Sequence, residues 1–282
     1  MSLSKRDICK ISFNVHVSNY LIKLWMKYKE SKKGGYLLYV DEDNSLCSNI
    51  QIKYFDGIDT LYAKVVERVY NEMIIQEAPI DVIKPSSYSE TTSKYILDSL
   101  ELIRSVDCDA YSCIKKYVRI ILIVKSEDLV AATSLDFLGI VVIAPKSEWT
   151  LIDFVENIVH EASHIDLFMR QLIDPIVIGD KCLPSPFREH LRPQIGVFHA
   201  TFVLCRIIHI FHKVYKTQIK DDLFKTRLRN TLSSFRESLG VLVEHADLTL
   251  MGYSILLLMI DEYNEVNKVN KLELEPIILS NQ

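Results

Sequence analysis

Hydrophobic and polar residues recur along this chain with two different periods, which predict helices over most of its length and a few strands. Helical spacing appears over seven stretches: 11–32, 58–77, 92–106, 150–172, 195–215, 220–240 and 247–266. Runs rich in valine and isoleucine at 117–124 and 138–144 predict two strands that pair with each other. A third short strand is predicted at 36–40, after a Lys-Lys-Gly-Gly breaker.

This order of elements predicts an α+β fold, mostly helical, in which a small β-sheet precedes a long helix and the C-terminal half is helical. Ser147 or Thr150 can cap the long helix at 150–172. A proline-containing loop is expected between this helix and the next.

The chain shows no repeat and no flexible linker, so we expect residues 1–282 to form a single compact unit. If the chain divides, the boundary is expected near 107–116. The chemistry-bearing motifs lie between 138 and 260, whereas the first 110 residues have no assigned role.

Composition and charge limit the classes of partner. The formal charge is −4, which argues against general binding to nucleic acid or to anionic membranes, because both surfaces are negative. The six cysteines are dispersed without a C-x-x-C pair, a pattern typical of reduced thiols. We find no secretory signal and no uninterrupted apolar run of about 18 residues. A cytoplasmic protein without a membrane partner is expected, and its oligomeric state is not predicted.

The sequence His160-Glu161-Ala-Ser-His164 is the strongest chemical signal in the chain. Imidazoles four residues apart project from one face of a helix and can bind one metal ion together. The glutamate between them can hold a proton or a water molecule beside that metal. The motif predicts a metalloenzyme.

A third protein ligand is usual for such a site. Leu167 and Arg170 occupy the positions where metzincins have glycine and histidine, which excludes that class. The next helix contains no glutamate, but it offers His199. Three histidines leave positions open on octahedral iron(II), and a tetrahedral zinc with one water is the alternative. His209 and His212 lie on a different face of this helix from His199 and are poorer candidates for the same metal. They lie near basic residues, so we expect them at a solvated helix end.

Four segments carry a resemblance to a known family: 158–167 (IVHEASHIDL), 186–188 (PFR), 192–203 (RPQIGVFHATFV) and 245–252 (HADLTLMG). They resemble the H-E-x-x-H-containing peptide-modification proteins, which are described as iron(II)- and 2-oxoglutarate-dependent peptide β-hydroxylases of ribosomal-peptide biosynthesis. The likeness covers roughly 138–260.

The resemblance implies His160, His164 and His199 as metal ligands, with iron(II) and 2-oxoglutarate as cofactors. It also implies an arginine that binds the distal carboxylate of 2-oxoglutarate, because a guanidinium can grip a carboxylate through two hydrogen bonds. Arg192 and Arg206 are the candidates, with Arg188 behind them.

Three functions remain open at this point. The first is hydroxylation of a side-chain β-carbon in a peptide, for example a ribosomal precursor peptide. The second is a zinc metallopeptidase in which Glu161 is the general base. The third is a non-catalytic relative that binds a peptide. In an oxygenase, Glu161 could orient a ligand, coordinate the metal or contact the substrate.

Overall fold

The computed structural model describes residues 17, 19–24, 49–75, 81–217 and 222–270. The predicted strand at 36–40 and most of the predicted helix at 11–32 lie outside these residues. The described helices are α1 (Thr60–Ile75), α2 (Glu90–Val106), α3 (Cys108–Tyr117), α4 (Leu151–Gln171), α5 (Gln194–Lys216), α6 (Asp222–His245) and α7 (Leu250–Asn270). The described strands are β1 (Gln51–Tyr54), β2 (Val118–Ile123), β3 (Ala131–Ala132), β4 (Gly139–Ile143), β5 (Cys182–Ser185) and β6 (Arg188–Pro193).

Strands β1 to β4 form one sheet in the order β1-β2-β4-β3. The pairs β1–β2 and β2–β4 are parallel, whereas β3 pairs with β4 in the antiparallel sense. Strand β4 is buried along its whole length, and β2 is buried at all but one position. Continuous apolar runs are expected of parallel strands that are covered on both faces. Gly139 begins β4 with a φ of 97°, a conformation that favours glycine.

The predicted α+β, mostly helical fold is confirmed. The paired strands at 117–124 and 138–144 are confirmed as β2 and β4, and the helices of the second half begin and end within a few residues of their predicted bounds. The expected loop between α4 and α5 instead contains the β5–β6 hairpin. Its strands lack the alternation of apolar and polar residues that predicts a half-buried sheet, because β6 is exposed at five of its six positions.

The chain separates into two compact units. The sheet unit spans Ile22–Asp166, and the helical unit combines Met1–Leu21 with Leu167–Gln282. The boundary therefore falls inside α4, not near 107–116, where α3 is a regular helix with Asp107 as its N-cap. That the whole chain acts as a single domain stays a prediction.

In the sheet unit, α1 packs against the sheet. Val65 and Val69 of this helix join a buried cluster with Ile120 and Leu122 of β2 and with Phe137. The part of α4 up to Asp166 belongs to the sheet unit, where a buried hydrogen bond joins it to the end of α3. The Tyr117 hydroxyl donates to Asp166 Oδ1 at 2.6 Å.

In the helical unit, α5 is the central helix and packs against α6 and α7. Of the described helices, α5 is long and apolar enough to cross a membrane, but 72 % of the relevant stretch is buried inside the protein. Burial of this kind is expected of a core helix in a globular fold.

The start of α7 is fastened to the segment that follows α4. The Thr249 hydroxyl donates to the carbonyl of Pro175 at 2.6 Å and accepts from the Gly252 backbone N–H at 3.1 Å. A side chain at Gly252 would overlap the carbonyl oxygen of Ile176. These contacts give part of the 245–252 segment a structural role, which accounts for its threonine and glycine.

Candidate metal site

Helix α4 carries the H-E-x-x-H sequence, and its local structure begins at a polar cap. Thr150 precedes the helix, and both its backbone N–H and its hydroxyl donate to Asp153 Oδ2, at 2.8 and 2.9 Å. This is half of a capping box, in which the Asp153 side chain accepts from the Thr150 backbone N–H. The Thr150 hydroxyl donates to this carboxylate, so the cap expected of Ser147 or Thr150 stays a prediction.

Most positions of α4 are buried, and the partly exposed ones follow one side of the helix. The residues of this open stripe of α4 are Asn157, His160, His164, Phe168 and Gln171. They are separated by three or four positions, which is the spacing of one helix face. Apolar packing around the rest of the helix thus leaves the two motif histidines on the side that solvent reaches.

The two motif histidines point their Nε2 atoms towards each other. His160 Nε2 lies 3.1 Å from His164 Nε2, and the rings meet edge to face with centroids 4.8 Å apart. Two nitrogens at this separation, each about 2.0–2.1 Å from one ion, would subtend roughly 100° at the ion. That angle lies between octahedral and tetrahedral geometry, so the separation of the two nitrogens is compatible with either iron(II) or zinc.

The surroundings of His160 favour its neutral form. Desolvation lowers the pKa of this ring to about 4, although 41 % of the side chain is exposed. A neutral imidazole is the form that binds a metal, because its lone pair is free to coordinate. His160 therefore combines access from solvent with the protonation state that coordination requires.

Glu161 lies on the buried flank of the same turn. Its side chain is only 5 % exposed, and Oε1 lies 3.9 Å from His160 Nε2, beyond hydrogen-bond distance. Burial raises the pKa of the Glu161 carboxyl to about 8. Among the described residues, no other charged side chain comes within ion-pair distance of it. A buried acid with a raised pKa makes this turn a candidate functional site.

His199 lies in the first part of α5 and belongs to the helical unit. Its Nε2 is 2.8 Å from Gln171 Oε1, and its ring packs on Phe168 with centroids 4.7 Å apart. Burial, reinforced by the charge of Arg192, lowers the pKa of His199 to about 4. His199 is thus a neutral histidine against the end of the open stripe of α4, and Gln171 is a polar partner that the sequence had not singled out.

The described residues contain no group of three or more histidine, cysteine or acidic side chains close enough together to hold a metal ion. His160 and His164 come together in the sheet unit, whereas His199 is in the helical unit. The third ligand stays a prediction.

The three candidate arginines differ in their surroundings. Arg192 of β6 is partly buried, and its guanidinium lies over Gly196, 3.5 Å from where a Cβ would be. Burial, together with the nearby charge of Arg188, lowers the pKa of Arg192. Within the described residues no carboxylate lies within ion-pair distance of Arg192. Arg188, at the start of β6, is exposed.

Arg206 is completely buried in α5. Its guanidinium carbon lies 4.8 Å from the centre of the Phe202 ring, in a cation–π contact. A side chain in this position is part of the core of the helical unit. Arg192 is therefore better placed than Arg206 to meet a carboxylate that arrives from solvent.

His209 and His212 do not lie at a solvated helix end, contrary to expectation. His212 is buried, and His209 Nδ1 lies 2.9 Å from Glu262 Oε1 of α7. Helix α7 packs against this side of α5, and the sequence around His209 gives no sign of a partner 53 residues away.

Comparison with known proteins finds no family model and no curated protein that matches this chain. The resemblance described above therefore rests on the four sequence segments alone and stays a prediction.

Proposed function

We propose that this protein is an iron(II)- and 2-oxoglutarate-dependent oxygenase that hydroxylates a side-chain β-carbon of a peptide in the cytoplasm. One observation carries the proposal: the Nε2 atoms of His160 and His164 are 3.1 Å apart on the accessible side of a buried helix. Two imidazole nitrogens at this separation are close enough to bind one divalent ion together. The packed helix supplies the rigidity that a metal site requires.

In this proposal, His160 and His164 hold the metal and His199 completes the set of protein ligands. Bound iron(II), with 2-oxoglutarate and oxygen, supplies the oxidising power that replaces a C–H bond by C–OH. The protein contributes position and exclusion of water. The apolar residues around α4 hold the two rings in place, and the peptide must present its β-carbon on the open stripe of α4.

Arg192 is the proposed anchor for the distal carboxylate of 2-oxoglutarate. Its guanidinium is partly buried and has no described acidic partner, so a carboxylate would gain a strong bidentate contact there. Arg188, close enough to lower the pKa of Arg192, would add to the attraction for an anion. Arg206 is less suited, since it is completely buried and packs on Phe202.

A zinc metallopeptidase is the second candidate, and the position of Glu161 favours it. A carboxyl with a pKa of about 8 near a metal-binding pair can exchange a proton with metal-bound water around neutral pH. The two motif histidines fit zinc as well as iron. The oxygenase is preferred because Arg192, which has no acidic partner among the described residues, has a use in it, namely to bind a dicarboxylate cosubstrate.

The test begins with the metal-free protein reconstituted with iron(II) under argon. We expect 2-oxoglutarate to bind only after iron has been added, and succinate to form when oxygen is admitted, even as slow turnover without a peptide. The His164→Ala variant should form none. The Asn157→Ala variant is the matched control, because Asn157 lies on the same stripe and binds the Asp153 carbonyl.

Two other outcomes would favour the other candidates. Peptide hydrolysis that needs zinc and disappears in Glu161→Gln, without succinate formation in the iron protein, would identify a metallopeptidase. Peptide binding without either activity would identify a non-catalytic relative, and mass spectrometry of the peptide for one added oxygen separates this outcome from hydroxylation.

A further inference from the structure

A cavity of about 480 Å³ opens in the helical unit, between the end of α6 and the start of α7. Most of the residues that line it are apolar, and Leu242, Val243 and Leu256 are among them. Ligand sites are commonly cavities of roughly 300–1,000 Å³ with mostly apolar walls and a few polar groups. The size and the lining of this cavity are therefore those of a binding site.

Three of the lining side chains leave a large part of their apolar surface in water. Leu250 is 84 % exposed, Ile178 is 60 % exposed and Tyr253 is 48 % exposed. Single exposed apolar residues are ordinary, but a group of them around one cavity marks an interaction site. A ligand that covers these side chains removes their apolar surface from water, which favours binding in proportion to the area covered.

The backbone around the cavity is held together by the buried side chain of Gln194. Its amide nitrogen donates to the carbonyl of Ile178 at 2.7 Å, and its Oε1 accepts from the backbone N–H of Asp247 at 2.9 Å. The backbone N–H of Ile178 also donates to the carbonyl of Asp247 at 2.8 Å. Two segments that line the cavity are thus fastened to each other, so a ligand does not have to order them when it binds.

The charges beside the cavity favour a basic ligand. Asp247 lines the cavity, and its carboxylate is 3.5 Å from Lys181 Nζ in an exposed ion pair, a kind of contact that contributes little stability. Glu244, which is also exposed, follows the lining residue Val243. Two carboxylates against one ammonium leave this side negative, so a lysine or arginine of a ligand is attracted and an acidic residue is repelled.

We propose that this cavity is a subsite for the peptide substrate, and that it binds a large apolar side chain next to a lysine or arginine. Its lining residues belong to the helical unit, whereas His160 and His164 belong to the sheet unit. The subsite selects the segment of peptide that binds and takes no part in the chemistry. The inference rests on the proposed function for the peptide nature of the ligand.

The test measures binding of three fluorescein-labelled peptides to the metal-free full chain by fluorescence anisotropy. The peptide GKLLKG carries both recognised features, GELLEG reverses its charge, and GKSSKG lacks its apolar side chains. We expect saturable binding of GKLLKG. Binding of GELLEG should be about threefold weaker or more, as expected for exposed charges. Binding of GKSSKG should be at least about tenfold weaker, because no apolar surface is buried.

Three variants connect this binding to the cavity. Leu250→Ser removes the most exposed of the lining side chains and should weaken GKLLKG binding about fivefold. Ala246→Phe places a ring where the ligand side chain would lie and should abolish binding. Leu97→Ser is the matched control, because Leu97 is an exposed leucine of α2 that does not line the cavity, and it should bind GKLLKG as the wild type does.

Equal affinity of the wild type and Leu250→Ser for GKLLKG would overturn the inference. Equal affinities for GKLLKG and GELLEG, or no saturable binding of GKLLKG, would also overturn it. A dimer of the wild type in sedimentation equilibrium that becomes a monomer in Leu250→Ser would assign this surface to a second copy of the chain instead. If Ala246→Phe does not fold, Leu250→Ser still decides, since its position is exposed. Succinate formation is measured separately with the iron-loaded protein, so failure of the oxygenase and failure of this subsite give different results.

Discussion

Glu161 and Glu262 are both mostly buried glutamates beside histidines, but their pKa values move in opposite directions. Burial raises the pKa of Glu161 to about 8, and its nearest imidazole nitrogen is 3.9 Å away. Burial also raises the pKa of Glu262, but the hydrogen bond from His209 and nearby positive charges outweigh it and lower the pKa overall. The difference is that His209 is a hydrogen-bonded partner of Glu262, whereas no such partner of Glu161 is found in the part of the chain that the structure describes.

The comparison separates two kinds of histidine. His209 Nδ1 and Glu262 Oε1 are 2.9 Å apart, in a hydrogen bond that joins α5 to α7. His160 and His164 have their ring nitrogens directed at each other on the accessible side of α4. The first arrangement joins two helices of the helical unit, whereas the second is the pair that we propose to bind a metal ion. In this protein, the glutamate with a histidine partner belongs to a contact between helices. The glutamate without one in the described residues is the candidate for a catalytic role.

The largest expected effect is the pH dependence caused by Glu161. A folded-state pKa of about 8 against an ordinary value of 4.5 means that the folded protein binds the extra proton between these pH values. Glu161 should therefore make the free energy of unfolding of the metal-free protein fall with rising pH, by up to about 1.4 kcal/mol per pH unit in this range. Below pH 6.5 the lowered pKa values of His160 and His199 contribute in the opposite direction, so the effect of Glu161 is the difference between the wild type and Glu161→Gln, which lacks it. This variant should be more stable than the wild type at pH 8, by several kcal/mol, and about equally stable at pH 4, as measured by urea denaturation.

The second largest effect is expected on metal affinity, which should distinguish His160 and His164 from His209. Loss of a direct ligand in His160→Ala or His164→Ala should weaken Zn²⁺ binding by on the order of 100-fold or more, since even outer partners of ligands contribute 10- to 100-fold. His209→Ala should leave the affinity within about twofold. Isothermal titration with Zn²⁺ measures the affinity of each variant. Equal losses of affinity in all three variants would show that His160 and His164 are not the metal ligands.

Glu262 provides the opposite pH dependence. Its lowered pKa contributes stability above the ordinary glutamate pKa, and this contribution is lost as the pH falls through the folded-state value. Glu262→Gln should be less stable than the wild type by about 1–2 kcal/mol at pH 7, the scale of a charge-assisted hydrogen bond. The difference should shrink below about pH 4. A constant difference across this range, seen by thermal unfolding, would mean that packing and not charge is responsible.

The smallest expected effect concerns the arginines. Arg192→Ala should weaken 2-oxoglutarate binding to the iron-loaded protein by about tenfold, because one charge-assisted contact is lost, with little change in stability. Arg206→Met should instead lower the melting temperature, because Arg206 is part of the core. Normal 2-oxoglutarate affinity in Arg192→Ala would show that another residue binds the distal carboxylate.

Much of the fold follows from local patterns in the sequence. Strands β2 and β4 were predictable because apolar residues continue through both strands, as buried parallel strands require. Helices α4 and α5 were predictable because their apolar residues recur with the period of a helix. The hairpin of β5 and β6 was not, because six exposed or half-exposed residues such as those of β6 have no apolar period. Helix α3 was missed because its ten residues look like a connection.

The candidate site was predictable only in part. The spacing of His160 and His164 predicts their closeness, and the hydrogen-bond distance between their rings agrees with it. Gln171 was missed because an amide eleven residues from His160 has no chemical signature until His199 is found beside it. The partner of His209 was missed for the same reason, since Glu262 belongs to another helix.

The sequence by itself determined that two imidazoles and a carboxyl share neighbouring positions on one helix, because 3.6 residues per turn set those positions locally. Only the tertiary structure decided that the imidazoles of α4 lie on its open stripe while Glu161 is buried. It also decided that His209 has an acidic partner and that Arg192 has none among the described residues. Burial and pairing depend on which distant segments pack against a helix, and no local period encodes that choice.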